Sequence, residues 1–291
     1  MKRILFIINP KSGTDGKKDF PSQVDHVLNK KLFSYEIAYT EYPGDAIELS
    51  AQAAKDGVEI ITAIGGDGSV NEVAQGILGT DSTLAIIPRG SGNGLARSLK
   101  IPRNTEKALE RINHFKTKTI DVGYANGHLF LSNAGAGFDT LIARLFKDRS
   151  QRGFMNYSKL VMQAVHNYPS KHYHLTVDGK EIHEQAFFVT AANGNQFGYN
   201  FKIAPHASSD DGVLDICIMK PLRVKHLATV SLKSLTGRLE GSQYAKYIRC
   251  KSLIITREEP LEWMQVDGDA VEVKDNRINI NIQPACLTVV V

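Results

Sequence analysis

The feature that most constrains this chain is an apolar run that ends in a glycine-rich turn. Residues 58–64 are mostly apolar and lead directly into Gly65-Gly66-Asp67-Gly68-Ser69. The run predicts a buried strand, and the helix-like sequence beyond it places a helix N-terminus at the same point. Glycines allow backbone N–H groups to approach a phosphate closely, and the helix dipole favours negative charge there. The segment therefore predicts a phosphate-binding turn, with an ordinary strand-to-helix turn as the alternative.

Two further apolar runs end in a similar way. Residues 4–8 lead into Asn9-Pro10-Lys11-Ser12-Gly13, and residues 84–87 lead into Pro88-Arg89-Gly90-Ser91-Gly92-Asn93. In an open parallel sheet, ligands bind at the carboxyl ends of the strands. We therefore expect the three turns to meet at one edge of a sheet and to contribute to one binding site.

The predicted elements divide the chain into an α/β part and an all-β part. Strand patterns occur at 2–8, 35–40, 58–64, 83–87 and 118–122, and helical patterns alternate with them near 20–31, 45–56, 70–79 and 104–114. This alternation predicts a doubly wound parallel sheet. From about residue 123 apolar and polar residues alternate with period two, which predicts an antiparallel β-sandwich. Helical segments near 137–147, 154–167 and 222–236 interrupt that second part.

Two local signals place helix ends in the first part. Asp45-x-x-Glu48 has the pattern of a capping box at a helix N-terminus. Gly57 is suited to the left-handed position that follows a helix. We therefore expect a helix that lies between these two signals.

Composition excludes several classes of protein. The 291 residues carry a formal net charge of +4, which is too small for dedicated nucleic-acid binding. No stretch approaches the roughly 18 uninterrupted apolar residues of a membrane span, and the N-terminus begins as a strand, so a signal peptide is not expected. Cys217, Cys250 and Cys286 are expected to be buried thiols, which suits a reducing compartment. We expect a soluble cytoplasmic protein that can bind peripherally at the inner membrane face.

Together these motifs resemble the diacylglycerol kinase catalytic family, which includes sphingosine kinases, ceramide kinases and bacterial lipid kinases. The motifs are Asn9-Pro10-x-Ser12-Gly13, Gly65-Gly66-Asp67-Gly68-Ser69-x-Asn71-Glu72, Pro88-x-Gly90-Ser91-x-Asn93, residues 208–215 and Val266-Asp267-Gly268-Asp269. NAD kinases and phosphofructokinases share the Gly-Gly-Asp-Gly element, so the other motifs select the lipid kinases. The resemblance implies an ATP- and Mg²⁺-dependent kinase that phosphorylates a lipid hydroxyl. It also implies that residues 1–122 and 284–291 form the ATP-binding domain and residues 123–283 the lipid-substrate domain.

The nucleotide site is expected on the first domain. The chain lacks a Gly-x-x-x-x-Gly-Lys-Ser/Thr motif, so the turn after residues 58–64 must hold the phosphates through the amides of residues 66–69. By the resemblance, Asn9 and Thr40 line the site, and Ser91 and Asn93 orient the nucleotide. The expected nucleotide-binding residues are Asn9, Thr40, Gly65, Gly66, Asp67, Gly68, Ser69, Asn71, Glu72, Ser91 and Asn93. Helix capping is the alternative role of Asn71 and Glu72.

Acidic residues are expected to bind magnesium and to accept a proton. Mg²⁺ prefers carboxylate oxygens and water, and the resemblance implies that Asp67, Asp121 and Asp269 hold the catalytic ion. Asp67 and Asp121 are both expected at strand ends, with a turn ahead of Gly123 as the alternative for Asp121. Asp267 would accept the proton of the lipid hydroxyl, although either Asp267 or Asp269 could be the base. Asp269 replaces the usual Glu of the family and is one methylene shorter. An Asp-Gly pair is also a strong hairpin signal, so a plain turn is the alternative for Asp267-Gly268.

A second, structural magnesium is implied by the resemblance of residues 208–215 to a segment of bacterial family members. The corresponding positions are Ser208, Asp211 and Val213, the outer two through main-chain oxygens. A loop that leads into a strand at 213–219 is the alternative.

The lipid acceptor is expected between the two domains. Diacylglycerol, a sphingoid base and phosphatidylglycerol all stay open as acceptors. A stretch with apolar Leu141, Ile142, Leu145, Phe146, Phe154 and Met155 and basic Arg144, Lys147, Arg149 and Arg152 could dock on an anionic membrane or admit an acyl chain. An amphipathic helix packed on its own core is the alternative. An NAD kinase and a non-catalytic nucleotide- or lipid-sensing protein are rival functions, and the oligomeric state, a homodimer included, is left open.

Overall fold

The computed structural model describes residues 1–10, 19–147 and 154–291. Within these residues the chain forms two compact units. The first unit comprises Met1–Ile120 and Ala285–Val291, and the second comprises Asp121–Pro284. Ser12, Gly13, Arg149 and Arg152, which the sequence motifs include, lie outside the described residues.

The first unit is built on a parallel sheet with helices between its strands. Its elements are β1 (Lys2–Ile8), α1 (Phe20–Val27), β2 (Phe33–Tyr39), α2 (Asp45–Lys55), β3 (Ile60–Gly65), α3 (Asp67–Ile77), β4 (Thr83–Pro88), α4 (Gly94–Ser98) and α5 (Thr105–His114). The strand order is β2-β1-β3-β4, followed by the end of β16 (Arg277–Val290), in which Val289 pairs with Leu84. Every residue of β3 and β4 is buried, as expected for strands covered on both faces.

The register of these strands brings their carboxyl ends level. Ile8 at the end of β1 pairs with Tyr39 of β2 and with Ile64 of β3, and Gly65 pairs with Pro88 of β4. The turns that follow the strands therefore lie side by side at one edge of the sheet. This confirms the α/β expectation, and it places the glycine-rich turns after β3 and β4 at the same edge as Asn9.

Several helix ends differ from the sequence expectation. Helix α1 ends at Val27, and α3 begins at Asp67, so the glycine turn is itself the start of the helix. The prediction of a capping box at Asp45 is wrong, because Gly44 occupies the N-cap position with φ +90° and has no side chain. The Asp45 carboxylate instead accepts the N–H of Glu41 at 2.8 Å. Gly57 is confirmed as a helix stop, with φ +72° and its N–H bonded to the carbonyl of Ala54.

The second unit is a β-sandwich with helices. Its elements, in part continued from the first unit, are β5 (Thr117–Ala125), β6 (His128–Phe130), β7 (Asn133–Gly137), α6 (Phe138–Lys147), α7 (Phe154–Asn167), β8 (Lys171–Val177), β9 (Lys180–Ala186), β10 (Phe188–Ala192), β11 (Leu214–Met219), α8 (Val224–Leu235), β12 (Ala245–Cys250), β13 (Ser252–Arg257), β14 (Trp263–Val266), β15 (Asp269–Glu272) and the start of β16. One sheet has the order β16-β13-β8-β9, and the other has the order β12-β11-β10-β7-β14-β15. The pairs in both sheets are antiparallel, which confirms the predicted sandwich.

The sandwich core lies between these two sheets. Leu175, Leu253 and Ile278 from one sheet pack in a single buried cluster with Val189 and Ile216 from the other. A second buried cluster packs α6, α7 and α8 onto the outer side of β10 and β11, through residues such as Ile142, Leu160 and Val230. None of the helices in the described parts of the chain has both the length and the apolar character needed to cross a membrane.

Two sequence expectations need correction in this unit. Asp121 lies inside β5 and not at a strand end or in a turn, and it is 1% exposed. Cys217 and Cys250 are buried as expected, whereas Cys286 is only partly buried. Burial raises the pKa of the Cys217 thiol to about 12, so this side chain is a poor nucleophile at neutral pH.

Candidate active site

The glycine turn places a helix N-terminus at the carboxyl edge of the first unit's sheet. Gly66 is the N-cap of α3, in an extended conformation and without a side-chain cap. The first intrahelical hydrogen bond runs from the N–H of Val70 to the carbonyl of Gly66, so the amides of residues 67–69 precede it. Such amides point along the helix axis beyond its N-terminus, where the helix dipole attracts anions. This arrangement can hold a phosphate group.

The turn after β4 packs directly against this glycine turn. A Cβ added to Gly90 would lie 2.3 Å from the Cα of Gly66, so the two backbones approach as closely as glycine permits. Asn93, which is 2% exposed and has φ +53°, closes the loop with two hydrogen bonds to Gly90. Its Oδ1 accepts the N–H of Gly90 at 2.9 Å, and its Nδ2 donates to the Gly90 carbonyl at 2.7 Å. Asn93 therefore shapes the loop from inside it.

The Asp67 side chain also links the two turns. Its Oδ1 accepts the N–H of Leu95 in α4 at 3.4 Å. On the other side of the turn, the Nδ2 of Asn9 donates to the Ser69 hydroxyl at 3.4 Å. Thr40 follows β2, and its N–H bonds to the carbonyl of Ile8. The structure therefore brings Asn9, Thr40, residues 65–69 and the Gly90–Asn93 loop, with Ser91, to one sheet edge.

Asn71 and Glu72 are engaged within the helical layer of the first unit. The Oδ1 of Asn71 accepts from the Nε2 of Gln75 at 2.7 Å. The Oε1 of Glu72 accepts the N–H of Gly44 at 3.2 Å and so caps the N-terminus of α2. For Glu72, the structure shows the capping role that was the alternative to nucleotide binding.

In the second unit, Asp267 and Gly268 form the tight turn between β14 and β15. Val266 pairs with Asp269, and Asp267 and Gly268 have φ +49° and +89°. Both residues therefore adopt the left-handed conformation that favours Asp-Gly in such hairpins. Asp269 is the exposed first residue of β15.

The Asp267 carboxylate anchors a distant segment as well. Its Oδ2 accepts the N–H of Leu131 at 2.8 Å, and its Oδ1 accepts the N–H groups of Ser132 at 2.8 Å and Asn133 at 3.1 Å. The N–H of Asp267 donates in return to the carbonyl of Asn133 at 2.9 Å. The carboxylate is therefore held in one orientation by three backbone donors.

Asp121 is joined to the segment that was expected to bind a second magnesium. Its Oδ2 accepts the N–H of Gly212 at 2.7 Å, and its own N–H donates to the carbonyl of Ser209 at 2.6 Å. The Asp211 carboxylate forms an ion pair with Arg249. Arg249 therefore already compensates the charge that a cation at Ser208, Asp211 and Val213 would neutralise.

Asp139 is a buried acidic residue that the sequence motifs do not include. This residue lies in the first turn of α6, and its Oδ2 accepts the hydroxyl hydrogen of Thr190 at 2.7 Å. Burial raises the pKa of the Asp139 carboxyl to about 6. A carboxyl group shifted in this way is typical of functional sites. Its only sequence signal is an Asp at the start of a predicted helix, which is also an ordinary capping signal.

The donor chemistry of the predicted acidic residues suits magnesium. Within residues 1–10, 19–147 and 154–291, no group of three His, Cys, Asp or Glu side chains is arranged as a complete set of metal ligands. Mg²⁺ commonly uses one or two carboxylates and takes its other ligands from water and substrate phosphates. Asp67, Asp121 and Asp269 therefore fit the ion by chemistry.

Comparison with known proteins agrees with this architecture. A model of the diacylglycerol kinase catalytic domain matches residues 3–125, and a model of the YegS C-terminal NAD kinase beta sandwich-like domain matches residues 132–291. A diacylglycerol kinase of Bacillus subtilis (strain 168) is 28% identical over 274 residues, which cover 92% of this chain and 90% of that protein.

Solved structures give the same result. The crystal structure of a diacylglycerol kinase from Bacillus anthracis str. Sterne has a TM-score of 0.75 and 26% identity, and the match covers 99% of this chain and 96% of that one. An NAD kinase from Archaeoglobus fulgidus has a TM-score of 0.54 at 14% identity, covering 100% of this chain and 94% of that one, and shows a shared fold alone. The chain therefore belongs to the family of the YegS C-terminal NAD kinase beta sandwich-like domain, which spans more than half of it, and its residues 3–125 match the diacylglycerol kinase catalytic domain.

Proposed function

We propose that the chain is an ATP- and Mg²⁺-dependent lipid kinase that transfers the γ-phosphoryl group to a lipid hydroxyl. The observation that carries this proposal is the sheet edge of the first unit, where Gly66, Gly90 and the N-terminus of α3 come together. Family membership supports a kinase, and the geometry supports an anionic ligand with several phosphate oxygens.

The amides of residues 67–69 bind the β- and γ-phosphates in this proposal. Ser69 adds a hydroxyl donor, oriented by Asn9, and Ser91 lies on the adjacent loop. The close approach of Gly66 and Gly90 keeps side-chain atoms away from this edge. Phosphoryl transfer depends mainly on positioning and on stabilising charge, and these backbone groups supply both.

Asp67, Asp121 and Asp269 hold the catalytic magnesium, which when bound neutralises charge on the transferred phosphoryl group. Asp267 accepts the proton of the lipid hydroxyl, and the three backbone donors at residues 131–133 fix its orientation. A positioned general base contributes typically ~10²–10⁴-fold to the rate. A second cation at Ser208, Asp211 and Val213 is a further proposal, in which it competes with Arg249 for the Asp211 carboxylate.

The acceptor is a lipid with a free hydroxyl, of the diacylglycerol, sphingoid or phosphatidylglycerol type. Such an acceptor resides in a membrane, so the enzyme must bind at a membrane surface. Of the ten large apolar side chains exposed in the described parts of the chain, six lie on α6, α7 and α8: Leu145, Met155, Met162, Val224, Leu232 and Leu235. Neither α7 nor α8 contains an acidic residue, and Lys159, Lys225 and Lys233 make both helices basic. We assign membrane contact to α7 and α8 for these reasons.

The stretch around Arg144 is less suited to that role than the sequence suggests. The guanidinium of Arg144 stacks on the ring of Trp263 at 4.4 Å, and Ile142 is 2% exposed. This part of α6 therefore packs on its own core. The side chains of Phe146, Lys147 and Phe154 lie outside what the structure describes.

The proposal is tested by incubating the protein with γ-labelled ATP, Mg²⁺, NAD and a total lipid extract, and identifying the labelled product. We expect label in a phospholipid. The Asp67→Asn variant should lose this labelling, because an amide is a poor magnesium ligand. The amide oxygen can still accept the N–H of Leu95, so this contact is not lost. Asp81→Asn, an exposed aspartate in the turn before β4, is the matched control and should label lipid normally.

Two outcomes would contradict the proposal. Label in NAD and not in lipid would indicate an NAD kinase. Nucleotide binding without transfer to any lipid of the extract would indicate a sensing protein.

A further inference from the structure

Buried polar side chains of the second unit hold the Asp267 turn in place. Gln265, which is 2% exposed, lies on β14 two residues before Asp267. Its Oε1 accepts the N–H of Gly268 at 3.1 Å, and its Nε2 donates to the Oδ1 of Asn133 at 2.7 Å. One amide side chain therefore contacts both the turn and the segment that the turn anchors.

These contacts close a ring around the Asp267 carboxylate. Asn133 donates its N–H to the Asp267 Oδ1 at 3.1 Å and accepts the Asp267 N–H on its carbonyl at 2.9 Å. β14 also pairs with β7 in this region, where Gln265 faces Gly135 and Val266 faces Ala134. Gln265 is the member of the ring that fixes the positions of both Asn133 and Gly268.

The orientation of the Gln265 amide is set by these two partners. Only the NH₂ end of an amide can donate, so that end faces the Oδ1 of Asn133, and the oxygen faces the N–H of Gly268. A side chain that lacks either the donor or the acceptor cannot keep both contacts.

We propose that Gln265 is a positioning residue for the phosphoryl-transfer reaction, and that its amide fixes the Asp267 turn through Asn133 and Gly268. This inference rests on the proposed function, in which Asp267 accepts the lipid proton. Gln265 contacts neither substrate in this scheme and acts only through the geometry of Asp267. A displacement of about 1 Å at a reacting group can reduce a rate by about 100-fold.

The first test compares Gln265→Leu with Gln196→Leu, a substitution of another buried glutamine of the second unit that is 4% exposed. Both variants lose a buried amide and should lose stability. Only Gln265→Leu should reduce kcat, by about 10- to 100-fold, with the KM for ATP unchanged. Amide hydrogen exchange at Gly268 should accelerate in the same variant.

The second test uses Gln265→Glu, whose ionised carboxylate can still accept from Gly268 but has no donor for Asn133. The kcat of this variant should therefore fall, as in Gln265→Leu, with the KM for ATP unchanged.

The outcomes separate this inference from the proposed function. If Gln265→Leu and Gln196→Leu have the same kcat while Asp267→Asn is inactive, the positioning role is wrong. A Gln265→Glu variant with an unchanged kcat would also overturn it. If the unsubstituted protein phosphorylates no lipid, the proposed function itself fails.

Discussion

Asp267 and Asp178 occupy the same kind of turn in the second unit. Asp178-Gly179 joins β8 to β9 with φ values of +45° and +82°. The Asp178 carboxylate accepts the N–H groups of Lys251 at 3.0 Å and Ser252 at 2.9 Å, and its own N–H donates to the carbonyl of Ser252. Burial acts to raise the pKa of Asp178, but these backbone hydrogen bonds outweigh it and the pKa is lowered. In this fold, the primary role of an Asp-Gly pair is therefore structural, because the carboxylate anchors the turn to a neighbouring segment.

This likeness gives a matched pair of variants, Asp267→Asn and Asp178→Asn. In each, an NH₂ group replaces a carboxylate oxygen that faces backbone donors, so each should lose about 1–3 kcal/mol of unfolding free energy. Only Asp267→Asn should lose lipid phosphorylation, because only Asp267 is proposed to accept the proton. Denaturant unfolding and the lipid-labelling assay measure the two effects. Equal activity losses in both variants would show that Asp267 only anchors its turn.

At the scale of elements, the two glycine turns after β3 and β4 depend on each other. Gly90→Ala would place a Cβ 2.3 Å from the Gly66 Cα and 2.8 Å from the Asn93 Oδ1, so the two loops must separate. We expect ATP affinity to fall at least about tenfold, since each displaced amide contact contributes on the order of 1–2 kcal/mol. Isothermal titration with a non-hydrolysable ATP analogue and Mg²⁺ measures this loss.

The control for Gly90→Ala is Gly241→Ala. Gly241 has φ +75° and no atom within 4 Å of an added Cβ, so this substitution strains the backbone without a steric clash. It should cost about 1–2 kcal/mol of stability and leave nucleotide affinity unchanged. Native nucleotide affinity in Gly90→Ala would mean that the two turns do not form the phosphate site.

Helix α8 allows a test of membrane contact at the same scale. Val224, Leu232 and Leu235 are 45%, 64% and 46% exposed, and Lys233 lies beside Leu232. The double variant Leu232→Gln/Lys233→Glu should bind phosphatidylglycerol vesicles at least about tenfold more weakly, because it removes apolar burial and reverses a charge. Lys107→Glu on α5 makes the same charge reversal in the first unit and should bind normally. Co-sedimentation that is equal for both variants would argue against contact through α8.

At the scale of the whole molecule, Asp139 links stability to pH. Its pKa is raised by burial to about 6, above the ordinary value of 3.8, so the folded state binds a proton more readily than the unfolded chain. The stability that this group contributes is therefore fully present below about pH 4 and is lost as the pH rises through about 6. Asp139→Asn removes this dependence. The unfolding free energy of the variant, relative to that of the original protein, should therefore be higher at pH 7 than at pH 4 by on the order of 2 kcal/mol.

Urea unfolding of both proteins between pH 4 and 8 measures this difference. Other titrating groups are common to the two proteins and cancel in the comparison. A difference in unfolding free energy that does not change with pH would contradict the linkage.

The two kinds of sheet, and the edge at which phosphate-binding groups meet, follow from the order of the amino acids alone. Apolar periodicity and strand–helix alternation are local properties, and residues 65–68 define both the end of a buried strand and the start of a helix. The carboxyl ends of neighbouring parallel strands must lie together, so Asn9, Thr40, Asp67 and Ser91 could be assigned to one edge without coordinates.

The contacts of the polar residues of the second unit depend on the three-dimensional fold. The Asp267 carboxylate meets the amide of Ser132, 135 residues away in the chain, and the Asp121 carboxylate meets Gly212, 91 residues away. Asp139 meets the hydroxyl of Thr190, 51 residues away. Such partners depend on which antiparallel strands are neighbours and in which register. A period-two pattern specifies the buried face of a strand but neither its neighbour nor its register, so these contacts were not predictable from sequence.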